Sequence, residues 1–331
     1  MKPDGTLLLT RAEVADLLGI DECMAAVEDA FRRHAEWQTA PPGLLSMHAA
    51  AGAFHIKAAL LDAARPYFVA KTNANFPQNQ RQHGLPLIQG VVVLCDAENG
   101  YPLALMDSIE ITIIRTGAAT GVAAKHLARA DARVATICGC GNQGRISLKA
   151  IARVRPVERA YAFDVDAAQA KRFASELSSE LGIEVQAVAD LARAVGQSDI
   201  CVTCTPAKQA FLERAHVAPG TFVAAVGADN EEKQELAPAL LKASKVVVDL
   251  LEQCAAIGDL HHAIAAGLMT SADVHAELGQ VIAGQRPGRT SAAEIIVFDS
   301  TGTALQDACA AATVYERAVR TGRGTKINFF A

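Results

Sequence analysis

The sequence contains no apolar stretch close to the roughly 20 residues that cross a bilayer, and no block of Lys and Arg. The first absence excludes a membrane-spanning helix. The second, with a net charge of −5 and a pI of about 6.0, makes nucleic acid an unsuitable partner. The opening MKPDGTLLLTRAE lacks a signal-peptide core, so a soluble, cytoplasmic protein is expected. There is no internal repeat and no low-complexity linker. Eight cysteines are present, but their pattern is thin for a metal. Cys201 and Cys204 form one CxxC without a second pair or a nearby His, and Cys138 and Cys140 flank Gly139. They read as small buried residues at strand ends, and no metal site is expected. His261 and His262 read as surface helix residues.

What is present is ample apolar material. Of 331 residues, 51% are hydrophobic and 20% charged, enough for about two domains with full cores. Thr10-Arg11-Ala12-Glu13 has the pattern of a capping box, and AEVADLL continues at helical period. A second helix over DECMAAVEDAFRRHAEW is stopped by Pro41-Pro42. FHIKAALL, YFVAK and LIQGVVVLCD then read as strands. VVVLCDAENGYPLALMD reads as a hairpin turning at Asn99-Gly100. From Ile111 the pattern changes. RTGAATGVAAKHLA is a small-residue helix, and after it strands and helices alternate: RVATIC, helix 143–153, RAYAFD, helix 166–181, EVQAV, helix 190–196, DICVTC, TFVAAV, KVVVDL and IIVFDS. Such alternation of doubly apolar strands with helices predicts an α/β, Rossmann-type doubly wound parallel sheet, preceded by an α+β region.

VATICGCGNQGRISLKAIA places Gly139-Cys140-Gly141-Asn142-Gln143-Gly144 between a strand and a helix. That is where a dinucleotide site needs glycines. Gly139 permits the tight turn, Gly141 lets the backbone approach a pyrophosphate, and Gly144 lets helix and strand pack closely. The next strand ends at Asp164, 25 residues after Gly139, where a carboxylate can accept the adenosine ribose hydroxyls. It would repel a 2′-phosphate, and Val165 and Asp166 supply no cation, so NAD is favoured over NADP.

Three further residues invite chemistry. Arg115 opens the helix after ITII, where a cation opposes the macrodipole. Either it binds an anion such as a substrate carboxylate, or it forms an ordinary ion pair. Lys71 ends YFVAK and is either snorkelling or partly buried with a lowered pKa. Behind it, NANFPQNQRQHG is a polar loop suited to capping a pocket. Asp229 follows TFVAAVGA at the carboxyl end of a strand, placed for ligand binding or as a helix N-cap.

With these residues in place, the chain resembles the ornithine cyclodeaminase/mu-crystallin family. The likeness is carried by GLPLIQGVVVLCDAENGYPLALMDSIEITIIRTGAATGVAAKHLA, ICGCGNQG, AVGADNEEKQEL and IIVFDSTGTALQDACAAATVYE, which together run over nearly the whole chain. The last hundred or so residues look most like the archaeal-type alanine dehydrogenases within that family. The resemblance implies a homodimer of two-domain subunits. Residues 115–303 would bind NAD, and residues 1–114 with 304–331 would form a discontinuous substrate and dimerisation domain. It places the catalytic lysine on Lys71, the acid/base aspartate on Asp229 and the carboxylate-binding arginine on Arg115. It places nucleotide contacts on Asn142, Gln143, Asp164, Thr205, Val226, Lys233 and Ser300, beside the glycines of the turn. Two positions depart from the family pattern. Gly43 stands where many members carry a substrate-binding arginine, and Leu87 replaces a threonine that often touches cofactor. In AFHIKAAL, His55 and Lys57 share a strand face, and Lys57 would replace the missing guanidinium if that face lines the pocket.

The expected chemistry is hydride transfer between NAD(H) and the α-carbon of a small amino acid or its imine, as in alanine dehydrogenases and imino-acid reductases. Two alternatives stand beside it. One is redox-neutral ornithine cyclodeamination to proline, and the other a non-catalytic, nucleotide-dependent binding protein of mu-crystallin type.

Overall fold

The computed structural model describes residues 5–37, 41–63 and 65–329. In chain order the first elements are β1 (Thr6–Leu9), α1 (Arg11–Leu17), α2 (Ile20–Trp37), β2 (Gly43–Ala49), β3 (Gly52–Leu61) and β4 (Tyr67–Asn75). Then come α3 (Asn79–His83), β5 (Ile88–Asp96), β6 (Pro102–Asp107) and α4 (Ser108–Leu127). The middle of the chain forms β7 (Val134–Cys138), α5 (Asn142–Val154), β8 (Arg159–Phe163), α6 (Ala167–Leu181), β9 (Glu184–Ala187), α7 (Leu191–Gly196) and β10 (Ile200–Thr203). It continues with β11 (Lys208–Leu212), β12 (Phe222–Ala225), β13 (Gln234–Leu236), α8 (Pro238–Lys242), β14 (Lys245–Val248), α9 (Leu251–Ile257) and α10 (Asp259–Ala265). The chain closes with β15 (Ala276–Glu277), α11 (Leu278–Ile282), β16 (Ile296–Asp299), α12 (Ala304–Thr321) and β17 (Thr325–Ile327). None of the described helices is long and apolar enough to cross a membrane. By contact density the chain falls into two units, Met1–Arg115 with Thr303–Ala331, and Thr116–Gly302.

The first unit is built on a seven-stranded sheet, β17-β1-β6-β5-β4-β3-β2. Its pairs are antiparallel except β1 with β6. α1 starts with the expected capping box between Thr10 and Glu13, and Gly100 takes φ +76° in the turn from β5 to β6. Side chains alternate across β3 and β4. Val69, Lys71 and Ala59 lie on the buried face, while Phe54, Leu60 and Phe68 are exposed on the other. α12 packs on β3 and β4, and also on α2. Its small residues, among them Ala308, Ala311 and Ala312, are buried and let it lie close to the sheet.

Two placements in this unit correct the sequence reading. Arg115 does not open a helix. α4 begins at Ser108, where Asp107 Oδ1 accepts the amides of Ile109 and Glu110 at 2.9 and 3.1 Å. Arg115 is therefore well inside the helix, and no macrodipole argument applies to it. The β-branched residues of ITII hid the first turns, because such residues are weak helix formers. Lys71 likewise does not end its strand. It sits in the middle of β4, with Thr72 to Asn75 still paired.

The second unit contains an eight-stranded sheet in the order β15-β14-β16-β12-β10-β7-β8-β9, with every pair parallel. The strands β7, β10, β12, β14 and β16 are buried almost throughout, as a sheet covered on both faces requires. The order reverses between β7 and β10. This topological switch point is where open α/β sheets bind ligands, at the carboxyl ends of the strands. Asp166 and Asp190 cap α6 and α7. His261 and His262 lie in α10 but are half-buried. His262 Nε2 is 2.9 Å from the Lys233 carbonyl, and His261 Nδ1 is 3.2 Å from that of Ala255.

Candidate active site

The glycine turn has the geometry that its sequence promised. Gly139 adopts φ +103°, and a Cβ there would meet the Cys204 carbonyl oxygen at 2.8 Å. A Cβ on Gly144 would strike the Gly139 carbonyl oxygen at 2.1 Å, so this glycine is what allows α5 to sit against the turn. Gly141 faces open space, with nothing within 4 Å of a would-be Cβ. It is also the N-cap of α5 and makes no side-chain cap. α5 thus starts directly at the glycine turn, and a helix N-terminus is a place that favours an anion. Beside them lies a cavity of about 610 Å³ lined by Gly139, Gly141, Asp164, Gln169, Thr205 and Phe211, among others. Asp164 accepts the Cys140 amide at 2.8 Å and the Asp166 amide at 2.9 Å, so it braces the turn from below. Val165, next to it, is 98% exposed. A glycine cradle, a helix N-terminus and a carboxylate at the end of β8 fit a dinucleotide.

Around the switch point, buried carboxylates hold the loops. The Thr205 amide and hydroxyl donate to Glu235 Oε1 at 2.6 and 2.7 Å, and the Gly227 amide donates to Glu235 Oε2 at 3.0 Å. The Ser300 hydroxyl donates to Asp249 at 2.8 Å. Val226 leaves β12, its amide bonded to the Thr203 carbonyl at 2.9 Å. Asp229 stands half-exposed in the loop that follows, where Lys233 Nζ lies 2.7 Å from its Oδ1. It caps no helix. Asn230 Oδ1 accepts the amides of Glu232 and Lys233, which turns the chain into strand β13. The cysteines of this unit are free thiols. Cys138 and Cys201 are buried with their sulfurs 4.0 Å apart, and the Cys204 thiol donates to the carbonyls of Cys138 and Gly139. No cluster of three or more metal-binding side chains occurs among the described residues.

The first unit gathers charges in its interior. Register places Lys57 opposite Lys71 on the buried face of β3 and β4, where two like charges repel. Lys57 is 8% exposed, Lys71 2% and Arg115 5%. Asp307, fully buried in the first turn of α12, compensates them. Its carboxylate lies 2.7 Å from Lys71 Nζ and 3.0 Å from Arg115 Nε. Arg115 Nη1 donates to Gln306 Oε1 at 2.6 Å, and Lys71 Nζ donates to Thr112 Oγ1 at 3.3 Å. Burial lowers the Lys71 ammonium to about 7, with Arg115 and Lys57 pushing the same way and Asp307 opposing. Burial alone would raise Asp307, but Lys71 and Arg115 overcome it and hold the carboxyl below its usual range.

Of this buried cluster the sequence analysis named Lys71, Arg115 and Lys57 as candidates, and did not name Asp307, Gln306 and Thr112. The signal available was a Gln-Asp pair alone among small apolar residues in ALQDACAAATV. An acid in the first turn of a helix is ordinary, and Asp307 was not singled out. Gly43 faces Ala58 in the β2–β3 register, while Lys57 faces Leu44. Position 43 and Lys57 thus belong to opposite sheet faces, and Lys57 does not take that position's place. Its claim to a role rests on its own place beside Lys71.

A parallel doubly wound sheet with a dinucleotide cradle, together with a separate unit that buries two lysines and an arginine around one aspartate, defines a Rossmann-type protein with a second, charge-bearing domain. Residues 5–322 match the model of the ornithine cyclodeaminase/mu-crystallin family, and the chain belongs to that family. It is 39% identical over 325 residues to an alanine dehydrogenase of Archaeoglobus fulgidus, covering 98% of this chain and 99% of that one. Among solved structures, an archaeal alanine dehydrogenase dimer with bound NAD superposes with a TM-score of 0.94 at 39% identity, covering 98% of this chain and 99% of that one. A Δ1-pyrroline-2-carboxylate reductase of Thermococcus litoralis, in complex with NADH and L-proline, gives a TM-score of 0.92 at 33% identity, covering 97% of this chain and 100% of that one.

Proposed function

We propose that the protein is an NAD-dependent oxidoreductase acting at the α-carbon of a small amino acid or its imine, of the alanine dehydrogenase or imino-acid reductase type. The observation that carries this reading is the convergence of Lys71 and Arg115 on Asp307, with Lys57 beside Lys71, in the interior of a unit separate from the glycine cradle. Charges so buried are costly unless they serve an anionic ligand as well as each other.

In this reading, residues 115–303 bind NAD, and residues 1–114 with 304–331 bind substrate and dimerise. Gly139, Gly141, Asn142, Gln143 and Gly144 receive the pyrophosphate, and Asp164 the adenosine ribose. Thr205, Val226, Lys233 and Ser300 line the rest of the dinucleotide's path. When bound, the nicotinamide supplies hydride chemistry. Arg115 binds the substrate carboxylate, a task suited to a planar guanidinium. Lys71 holds and polarises the carboxylate or the reacting nitrogen, and because it loses its proton near neutrality it also accepts a proton there. Asp229, half-exposed on the loop after β12, moves protons at the imine or at an attacking water. The exposed apolar face of the first sheet, with Met47, Phe54, Leu60 and Phe68, supports the homodimer. The free cysteine thiols support a cytoplasmic setting.

Lys57 contributes binding rather than chemistry. Lys57→Ala is expected to raise KM for the amino- or imino-acid substrate about tenfold with a smaller change in kcat. It is also expected to move the pH profile to higher pH, because Lys57 lowers Lys71. Steady-state kinetics across pH check both effects, and an unchanged KM discards the role.

The function is tested by a substrate panel with NAD and NADP, run in both directions. It includes pyruvate with ammonium, Δ1-pyrroline-2-carboxylate and ornithine. The expected result is a net change in NADH absorbance with an imine or its amino acid, and a preference for NAD set by Asp164. Proline formed from ornithine without net NADH change would replace this reading with cyclodeamination. NADH binding without turnover on any member would replace it with a binding protein.

A further inference from the structure

Glu235 has no place in the proposed chemistry, yet it is fully buried and joins two loops at the sheet's switch point. One carboxylate oxygen takes both Thr205 donors from the loop after β10, and the other takes the Gly227 amide from the loop after β12. Gly227 has no room for a side chain, since a Cβ would lie 2.5 Å from the Glu235 carboxyl. At its far end the same loop is fastened by His262, whose Nε2 meets the Lys233 carbonyl. The segment 226–233, which carries Val226, Asp229 and Lys233, is thus pinned near both ends, and Glu235 is the pin shared with Thr205.

We infer that Glu235 is a positioning residue for the dinucleotide, clamping the β10 and β12 loops in the conformation that binds the cofactor. The inference rests on the reading of the second unit as an NAD site.

The clamp has an acidic neighbour. Asp259 of α10 accepts the amides of Glu235 and Leu236 on one oxygen, each at 2.8 Å, and its other oxygen is buried without a hydrogen-bond partner. The other titratable groups facing the clamp are the Cys138 thiol of β7, the Cys204 thiol after β10, Asp299 at the end of β16 and His262 of α10. Burial raises Glu235 and Asp259 further raises it; burial likewise raises Asp259. At acid to neutral pH the pair therefore keeps a proton and the clamp holds. As pH rises through the titration of the pair, two adjacent buried carboxylates repel and add negative charge to a site meant for a pyrophosphate. Cofactor binding weakens in that direction.

The test is NADH binding to the full-length protein, followed by fluorescence titration from about pH 6 to about pH 9. Wild type should bind, with Kd rising several-fold across the range. Glu235→Gln should raise Kd about tenfold at about pH 6, because an NH2 donor then replaces one of the two acceptor oxygens of the clamp, and should flatten the pH dependence. In kinetics its effect should fall on KM for NADH more than on kcat. Asp259→Asn keeps the acceptor for both amides and removes the neighbouring charge. It should fold at least as well as wild type, bind NADH normally at about pH 6, and lose the weakening at high pH. If Glu235→Gln does not fold, Asp259→Asn decides alone. Wild-type binding with unchanged Kd and pH dependence in Glu235→Gln, or an unflattened profile in Asp259→Asn, overturns the clamp and leaves the NAD site standing. Failure of wild type to bind NADH overturns both.

Discussion

Lys71→Met lowers kcat about a thousandfold, the size expected when a residue that handles protons and charge at the reacting atoms is lost. Met fills a similar volume without charge, so Tm reports separately on folding. Lys71→Arg distinguishes the chemistry from simple charge. Arginine restores a cation beside Asp307 but does not give up its proton. The arginine variant should recover stability and remain slow. In wild type, kcat/KM should rise with pH through about 7 as the Lys71 ammonium becomes an amine. That rise should vanish in both variants. Wild-type rates in Lys71→Arg would show that only a positive charge is required.

The second large effect is at Asp307. Asp307→Asn keeps the shape of the side chain and leaves Lys71 and Arg115 buried without the carboxylate they share. The expected cost is about 3–5 kcal/mol of unfolding free energy, the range for breaking a buried ion pair from one side. Denaturant midpoints at neutral pH measure it. The pH dependence has a definite sign. The Asp307 carboxyl is lowered in the folded protein, so its contribution is present above the ordinary carboxylate pKa and lost as pH falls through the folded value. The variant should therefore lose least, relative to wild type, in acid. Asp307 also raises Lys71. Without that charge Lys71 deprotonates at lower pH, and any residual activity should show its rise displaced to the acid side. A midpoint within about 0.5 kcal/mol of wild type would mean that the cluster is not held by this carboxylate.

Local patterns were easiest to read where chemistry and structure demanded the same residue. The glycines at 139 and 144 could be assigned separate tasks, because a turn and a tight helix contact each forbid a side chain, while Gly141 borders open space. Asp164 was legible from its place at the end of a strand. The interior of the first unit was legible only in part. Lys71 and Lys57 could be seen as strand lysines, but their opposition depends on the β3–β4 register, which no short motif encodes. Asp307 comes from α12, 236 residues from Lys71 in sequence, and nothing local marks it as the partner. The start of α4 was hidden because Asp107 caps it directly from the end of β6, ahead of β-branched residues. Asp229 looked like an N-cap because acids in EEKQEL suit a helix start. The Asn230 turn and the pairing of β13 with β11 decided otherwise.

The proposed reaction moves a hydride between NAD(H) and the α-carbon of an amino or imino acid. It is tested most directly by supplying NADH deuterated at C4 together with Δ1-pyrroline-2-carboxylate, or with pyruvate and ammonium, and locating the label in the product by mass spectrometry. Deuterium is expected at the α-carbon of proline or alanine, in step with NADH oxidation. NADH consumption that leaves the α-carbon unlabelled, or no consumption with any imine, would contradict it.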